Sequence, residues 1–371
     1  MKKLALCVAI LFFAPTMSHA DDSGAKPADS QWFDGFSGML MTSGYYMLNT
    51  ATEPGAYNSV GYPYTINQGF GLNFAGADLA YDAKHWGLTM NLRFGSGAAV
   101  LTGANPLKQG YATWKPMDGL TLDLGFFDTI YGAEVADEWQ NLNFSRGALY
   151  FLRQPFNHMG LRVGAEVGSI GLNFLIANGN VGLTGVSTTA SGGLGGQVTD
   201  VGNLPSLGFQ VTASPTDDIF LAVGYLAGPN GNDGDDDWAH FIDVVNTYAF
   251  GGLSVVLNLD LTIDPEPVPG ATDLGAVWGA SLGLGYEFNK YWKLGLRGEY
   301  LGGNSASAEI DYLATATLSV RYSPVEFLTI TVEPRADFAD AEIFVGDGGA
   351  TDSKAYFGII VGATAHWGWD L

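Results

Sequence analysis

LSVVLNLDLTI, residues 253–263, sets Leu253, Val255, Leu257, Leu259, Leu261 and Ile263 on one side of an extended chain and Ser254, Asn258, Asp260 and Thr262 on the other. Successive strand side chains point to opposite faces, so this period of two predicts a strand with one apolar and one polar face. LTITVEPRADF, residues 328–338, repeats it: Leu328, Ile330, Val332, Pro334, Ala336 and Phe338 alternate with Thr329, Thr331, Glu333, Arg335 and Asp337. A soluble barrel would line a core with the apolar faces. Here the opposite faces carry charges from many strands and glycine-lined stretches such as GAVWGASLGLG, so the apolar faces are assigned to lipid and the polar ones to a wet lumen.

On either side of these strands the chain keeps one rhythm, strand, brief turn, strand, longer loop. The brief turns are Asp82–His85, Pro116–Gly119, Gly168-Ser169, Pro215–Asp218, Ala249–Gly252, Glu287–Lys290 and Ser323–Glu326, most with proline or glycine beside Asp or Ser. The longer connections are Ala51–Gln68, Gly95–Pro106, Ile130–Asn157, Gly179–Asn203, Gly228–Asp237, Asp264–Asp273, Leu301–Ala308 and Ala339–Ser353. Seven turns and eight loops separate sixteen strands. An even number puts both chain ends on the short-turn side, where the first strand pairs with the last. Closure matters because an open edge in lipid leaves backbone groups unsatisfied, at several kcal/mol each. The reading is all-β: a closed antiparallel transmembrane β-barrel of about sixteen strands over 36–371, with short periplasmic turns and long extracellular loops. Between Asn73 and Asp78 the alternation slips, which predicts a bulge.

Aromatic residues were not used to place the turns, yet they gather there. Tyr81 and Trp86 flank the first, Trp114 the second, Phe220 the fourth, Tyr248 and Phe250 the fifth, Tyr286, Tyr291 and Trp292 the sixth, and Tyr322 and Phe327 the seventh. Amphipathic rings at strand ends form an interfacial girdle.

The chain opens MKKLALCVAILFFAPTMSHA: two lysines, an apolar run from Leu4 to Ala14, then Ser18 and Ala20 at the small positions of a cleavage site. Residues 1–20 read as a secretory leader and 21–35 as a polar periplasmic tail. Cys7 is the only cysteine and lies within the leader, so the mature chain has no disulfide or thiolate metal site. A formal charge of −22 excludes nucleic acid as a partner. The aromatic fraction of 13% and 52 glycines suit a barrel better than a helical enzyme.

One stretch breaks the rhythm. Ile130–Asn157 has no strand period, and it lies between LTLDLGFFDT (120–129) and LRVGAEV (161–167), both of which have one. A loop this long in a compact chain is functional or disordered, and Trp139, Phe144, Leu149, Tyr150 and Phe151 argue against disorder. It is expected to fold into the lumen and narrow it.

The pieces GAEV (132–135), NFSR (143–146) and PFNHMGLR (155–162), following the strand pair LKQGYATW and GLTLDLGFFDT, resemble the signature of the β-barrel porin-2, or OmpL-like, family of Gram-negative outer-membrane proteins. The resemblance is densest from Phe70 to Gly179 and continues by pattern to the C-terminus. It implies passive diffusion of small hydrophilic solutes and assigns no residue a role.

Candidate site residues therefore rest on inward parity and loop position. Arg93, Arg162, Arg297 and Arg335 point to the lumen, as do Asp123, Glu166, Glu299 and Glu333. Arg297 with Glu299, and Glu333 with Arg335, are placed on neighbouring strands as a ladder. Glu134, Asp137 and Glu138 of the long segment are expected to face some of these arginines, and opposed charges are how pores select. The bland alternative is that these are wet lumen charges paired for solvation. Arg146 and Arg153, among apolar residues, either pin the loop or meet solute.

GPNGNDGDDDW (228–238) hints at calcium but lacks an EF-hand's glycine and distal glutamate, so a solvated outer loop is preferred. Gly279–Gly283 matches G-x-S-x-G, yet lies mid-strand rather than at a strand-to-helix turn. The expectation is a water-filled outer-membrane channel without reaction, metal or cofactor, weakly cation-preferring, surrounded by lipid and lipopolysaccharide, and a homotrimer by analogy. A substrate-specific channel, or a non-conducting structural or adhesive barrel, is the alternative.

Overall fold

The computed structural model describes residues 34–49, 68–98, 106–178, 205–230, 238–265, 274–304, 311–345 and 351–370. The leader, nearly all of the tail and residues 231–237 of the acidic run lie outside them. Sixteen strands form a closed barrel in which each pairs with its sequence neighbours. They are β1 (Phe36–Asn49), β2 (Gly69–Asp82), β3 (Trp86–Phe94), β4 (Leu107–Met117), β5 (Leu120–Asp128), β6 (Asn157–Val167), β7 (Ile170–Ala177), β8 (Ser206–Thr216), β9 (Ile219–Pro229), β10 (Trp238–Phe250), β11 (Leu253–Asp264), β12 (Gly275–Glu287), β13 (Trp292–Asn304), β14 (Tyr312–Val325), β15 (Leu328–Ala339) and β18 (Ala355–Asp370). A small hairpin, β16 (Phe344–Val345) and β17 (Thr351–Ser353), sits in the last long loop.

β1 and β18 close the wall, antiparallel from Ser37 opposite Asp370 to Asn49 opposite Gly358. All seven brief turns fall where expected. The loop expected to begin at Leu301 starts later, because β13 runs on to Asn304. There Gly303 takes a φ of +123° and its backbone still pairs with Val277.

Burial follows the period of two. On β11, Ser254, Asn258, Asp260, Thr262 and Asp264 are buried while Leu253 and Leu259 are exposed outward. Across β15 and β18 the outward row is Ile330, Val332, Phe338, Phe357, Ile359 and Val361, all exposed. Around the short-turn rim, Trp86 stacks on Trp114 (5.9 Å), Trp292 lies against Tyr322 (4.6 Å) and Trp367 against Trp369 (5.6 Å). A second set at the long-loop end includes Trp278, Tyr300 and Tyr312, stacked in a row at 5.6 and 5.8 Å. Two aromatic belts bounding an apolar band are the outer surface of a membrane barrel.

The predicted bulge is present. Register shifts between Ser43 and Gly44, opposite Phe74 and Leu72, so Asn73 is the extra residue of β2. Asn73 and Phe74 consequently both face the lumen and are buried. A second bulge, on β4, leaves Lys108 unpaired between Leu107 and Gln109 and re-aims it inward.

Candidate functional site

Thr129–Phe156, between β5 and β6, fills the barrel at mid-height. It holds a 3-10 turn (Glu138–Gln140) and one short helix, α1 (Ala148–Arg153), and its wall contacts fall in three sectors. Phe144, Ala148 and Leu149 pack with Tyr45, Leu301, Leu313, Tyr356 and Ile360. Ile130 and Tyr131 pack with Phe127, Leu175, Leu226 and Phe241. Ala136, Tyr150, Phe151 and Phe156 gather around Phe74 and Ala98. Ile343 and Phe344, from the last long loop, join the first cluster.

Inward glycines act as sockets for this segment. Tyr131 lies against Gly224, where an added β-carbon would stand 2.5 Å from the ring, and against Gly208. Leu142 occupies the space over Gly283 (2.8 Å from a β-carbon there) and Gly285, Leu149 that over Gly279, and Phe144 that over Gly362. The glycine face of GAVWGASLGLG, expected to be wet, is covered here by two leucines. The reason is volume: only a wall without side chains leaves room for a packed segment inside.

Three wall or loop glutamates then receive backbone N–H groups of the segment. Glu333 accepts from Phe144 (2.6 Å) and Ser145 (2.8 Å). Glu299 accepts from Ala148 (2.9 Å) and Leu149 (3.1 Å), and Glu134 from Gly147 (2.5 Å). The first turn of a helix exposes unsatisfied donors, and the cap residue of α1, Gly147, has no side chain to offer. Glu299, on a strand about 150 residues later, supplies the acceptor instead. A β-carbon at Gly147 would stand 2.0 Å from the Glu299 carboxylate, so a larger residue here would displace Glu299 from the start of α1.

The expected charges are in the lumen, and most are paired. Arg297 meets Glu134 at 2.5 Å and Glu299 at 3.4 Å. Arg93 forms two forks, to Asp78 (2.5 and 3.1 Å) and to Asp137 (2.9 and 2.9 Å), and Lys108 bridges Asp137 (3.1 Å) to Asp128 (2.5 Å). Asp137 is held well below the usual carboxylate range: burial pushes it up, but Arg93 and Lys108 pull it down further. Burial raises Glu134 above that range, against the pull of Arg297 and with the added repulsion of Glu299. Glu138 accepts from Asn73 (3.0 Å) and Thr364 (2.7 Å), with Arg146 3.7 Å away. Arg146 lies over the Phe74 ring at 5.3 Å and donates to the Ala136 carbonyl, so it braces the segment internally.

Arg335 pairs with Asp337 (2.7 Å) and donates to the Arg146 carbonyl (2.8 Å). Asp123 and Arg162 pair on the β5–β6 wall at 2.7 Å, with Arg162 over Phe127 at 4.8 Å. Glu166 is exposed at the short-turn rim, and Arg153 donates to the Leu152 carbonyl at 2.8 Å. The expected ladder is corrected in one respect. Arg297 and Glu299 are both on β13 and Glu333 and Arg335 both on β15, with β14 between them. The rungs are the β14 hydroxyls: Thr315 donates to Glu299 (2.5 Å), Thr317 accepts from Arg297 (3.1 Å) and Ser319 donates to Glu333 (2.5 Å).

A cavity of about 1240 Å³ opens on the short-turn side of the segment. Asp123, Glu134, Asp137, Arg162, Glu166 and Arg297 line it; Arg93, Glu138, Arg146, Glu299, Glu333 and Arg335 are buried away from it, and Arg153 is half-buried outside the lining. Acids outnumber bases around it, with Asp78, Asp82, Asp128, Glu287 and Asp370 joined by Lys108, Lys115, Lys293 and Arg321. Ser281 of the G-x-S-x-G stretch lines it from mid-strand, as read from the sequence.

Parity alone would have found Arg321, which donates to the carbonyls of Asn141 (2.6 Å) and Glu138 (2.7 Å). It would not have found Lys108, because the bulge reverses its direction. The alternation of β11 turns Asn258 inward but does not show its contacts; it accepts from Ala133 N–H (2.7 Å) and Gln154 (2.6 Å).

A closed sixteen-stranded barrel, apolar outside and charged within, with a segment folded across its lumen, is the architecture of an outer-membrane porin. The chain belongs to the family described as "Putative beta-barrel porin-2, OmpL-like", whose model matches residues 35–364. No curated protein sequence matches it. Among solved structures, the chain is similar to the outer membrane channel DcaP of Acinetobacter baumannii (TM-score 0.61, 12% identity, 90% of this chain and 96% of that one). It is also similar to an anion-selective porin from Comamonas acidovorans (0.60, 10%, 90% and 98%) and to OmpT of Vibrio cholerae (0.57, 14%, 90% and 97%). At these identities the likeness is one of fold.

Proposed function

We propose that this outer-membrane barrel passes small hydrophilic solutes and ions down their concentration gradients, with the segment around 130–157 setting the size limit. The observation that carries this reading is the segment itself, clamped at mid-lumen by Glu134–Arg297 and by Asp137 with Arg93 and Lys108. Asp123, Glu134, Asp137, Arg162, Glu166 and Arg297 face the path, and the remaining candidates hold the segment in place. The acid excess around the cavity gives a weak preference for cations, reduced by salt where the groups are exposed. Lipid and lipopolysaccharide surround the wall, the first 20 residues are removed on export, and three copies associate by analogy with sixteen-stranded porins.

Planar-bilayer recording of the mature protein with a graded series of neutral solutes tests the size limit, and reversal potential under a salt gradient tests the preference. A graded exclusion and a cation-sided potential are expected. Absence of conductance would instead fit a structural or adhesive barrel. A substrate-specific channel is the second reading, favoured by the three apolar sectors that take up the lumen around the segment. It predicts saturable block by one solute class at sub-millimolar concentration.

A further inference from the structure

Asp243 on β10 and Asp260 on β11 stand directly opposite each other in the antiparallel register, both pointing inward. Asp243 is 0% and Asp260 3% exposed. The Asn258 side-chain amide donates to both, at 2.8 Å to Asp243 and 3.0 Å to Asp260, and so holds the two carboxyl groups side by side. Neither takes part in an ion pair among the described residues, and Asp243 Oδ2 has no side-chain or backbone donor within standard hydrogen-bond geometry. Two ionised carboxylates in contact, out of water and without a cation, repel strongly; a proton between them converts repulsion into a hydrogen bond.

Both arms of the lumen segment end on this pair. From the first arm, the Ala133 N–H donates to Asn258 at 2.7 Å. From the second arm, Gln154 donates to Asp260 at 3.1 Å and to Asn258 at 2.6 Å. The charged and titratable groups facing the pair are Arg153, which feels the charge of Asp260, and Tyr131, which feels that of Asp243. The flanking strands present only glycines there, Gly224 on β9 and Gly279 on β12. Arg153 has Nε without an acceptor among the described residues and donates to the neighbouring Leu152 carbonyl.

We propose that Asp243 and Asp260 share one proton while the segment is seated, and that this proton is a latch whose loss at alkaline pH lets the segment leave the wall. The seated state then holds one more proton than a released state in which each acid is ionised in water. By linkage, release is favoured as pH rises. The electrical test rests on the channel reading given above, while the spectroscopic one does not.

The experiment uses the mature protein refolded in detergent, with folding checked by its heat-modifiable gel migration. Conductance is recorded between pH 5 and 9, and infrared spectra are collected over the same range. The natural chain is expected to show an open-to-closed ratio rising by up to about tenfold per pH unit, the limit for one proton. It should also show a protonated-carboxyl infrared band that disappears with the same midpoint. Asp260→Asn, or Asp243→Asn should the first fail to fold, is expected to remove this midpoint from both the band and the pH profile, leaving only the contribution of Glu134. An infrared band that is absent at pH 5 overturns the proposal, as does a pH profile unchanged by both substitutions. A profile that follows the identity of the cation in solution rather than pH also overturns it, placing a metal ion between the carboxylates. A chain that never conducts refutes the channel reading, and the infrared band still decides whether the proton is shared.

Discussion

The Glu134 carboxylate lies 2.5 Å from the Arg297 guanidinium, although 163 residues separate them in the chain. One belongs to the lumen segment and the other to β13, so this contact fixes how far the segment reaches across the barrel. Arg297 also donates to the Ser145 carbonyl at 2.7 Å, which ties two points of the segment to one side chain.

Arg297→Ala removes the partner of a buried carboxylate and leaves Glu134 beside Glu299. Breaking a buried pair from one side costs about 3–5 kcal/mol, and here the segment takes most of the loss, because β13 and β14 keep their backbone pairing. Single-channel conductance is expected to rise and selectivity to move toward cations, with heat-modifiable folding retained. Arg335→Ala is expected to act in the same direction through the Arg146 carbonyl. Unchanged conductance and selectivity in both variants would return these arginines to ordinary lumen solvation.

Glu299 caps α1 from another strand, so Glu299→Gln weakens both N–H contacts without changing volume. Hydrogen bonds to a charged acceptor contribute about 1.5–3 kcal/mol. The expected result is protease cleavage between 144 and 153 in the folded barrel, read by mass spectrometry, at enzyme levels that leave the natural chain intact.

Gly279→Leu places a side chain where Leu149 now packs. Overfilling a packed site costs about 1–3 kcal/mol. Since the outward face of β12 is untouched, denaturant midpoints of the barrel should change little, whereas the neutral-solute exclusion limit should increase.

Acid is expected to act in two stages. Glu134 is raised, so it is neutralised at a pH above the ordinary carboxylate value of about 4.3. Protonation of a raised group favours the seated state, and seating by this group weakens only as pH rises. Mild acid therefore lowers cation preference without releasing the segment. Asp137 is lowered, so its contribution is present above its ordinary value near 3.9 and is lost only as pH falls through the lowered one. Reversal potentials should shift first, and conductance should increase only in much stronger acid.

Alternation in LSVVLNLDLTI and LTITVEPRADF was enough to orient every residue of β11 and β15, and the turn residues gave the strand number. The bulge at Asn73 was legible as a slip in phase. The bulge at Lys108 was not, because LKQGYATW keeps an acceptable pattern in either register. Eight of the thirteen candidate charges follow from the same parity and the other five from their place in the long segment, but their division into lining groups and clamps was hidden. That division depends on whether Leu142, Leu149 and Tyr131 reach the wall glycines, which no local pattern encodes.

Sequence by itself determined the closed strand wall, its lipid and lumen faces and the segment that departs from it, because side-chain direction in a strand is a property of adjacent residues. Only the tertiary structure decided where that segment seats and which charges it consumes. Among those contacts Glu138 and Thr364 stand 226 positions apart, and they exist only after the barrel has closed.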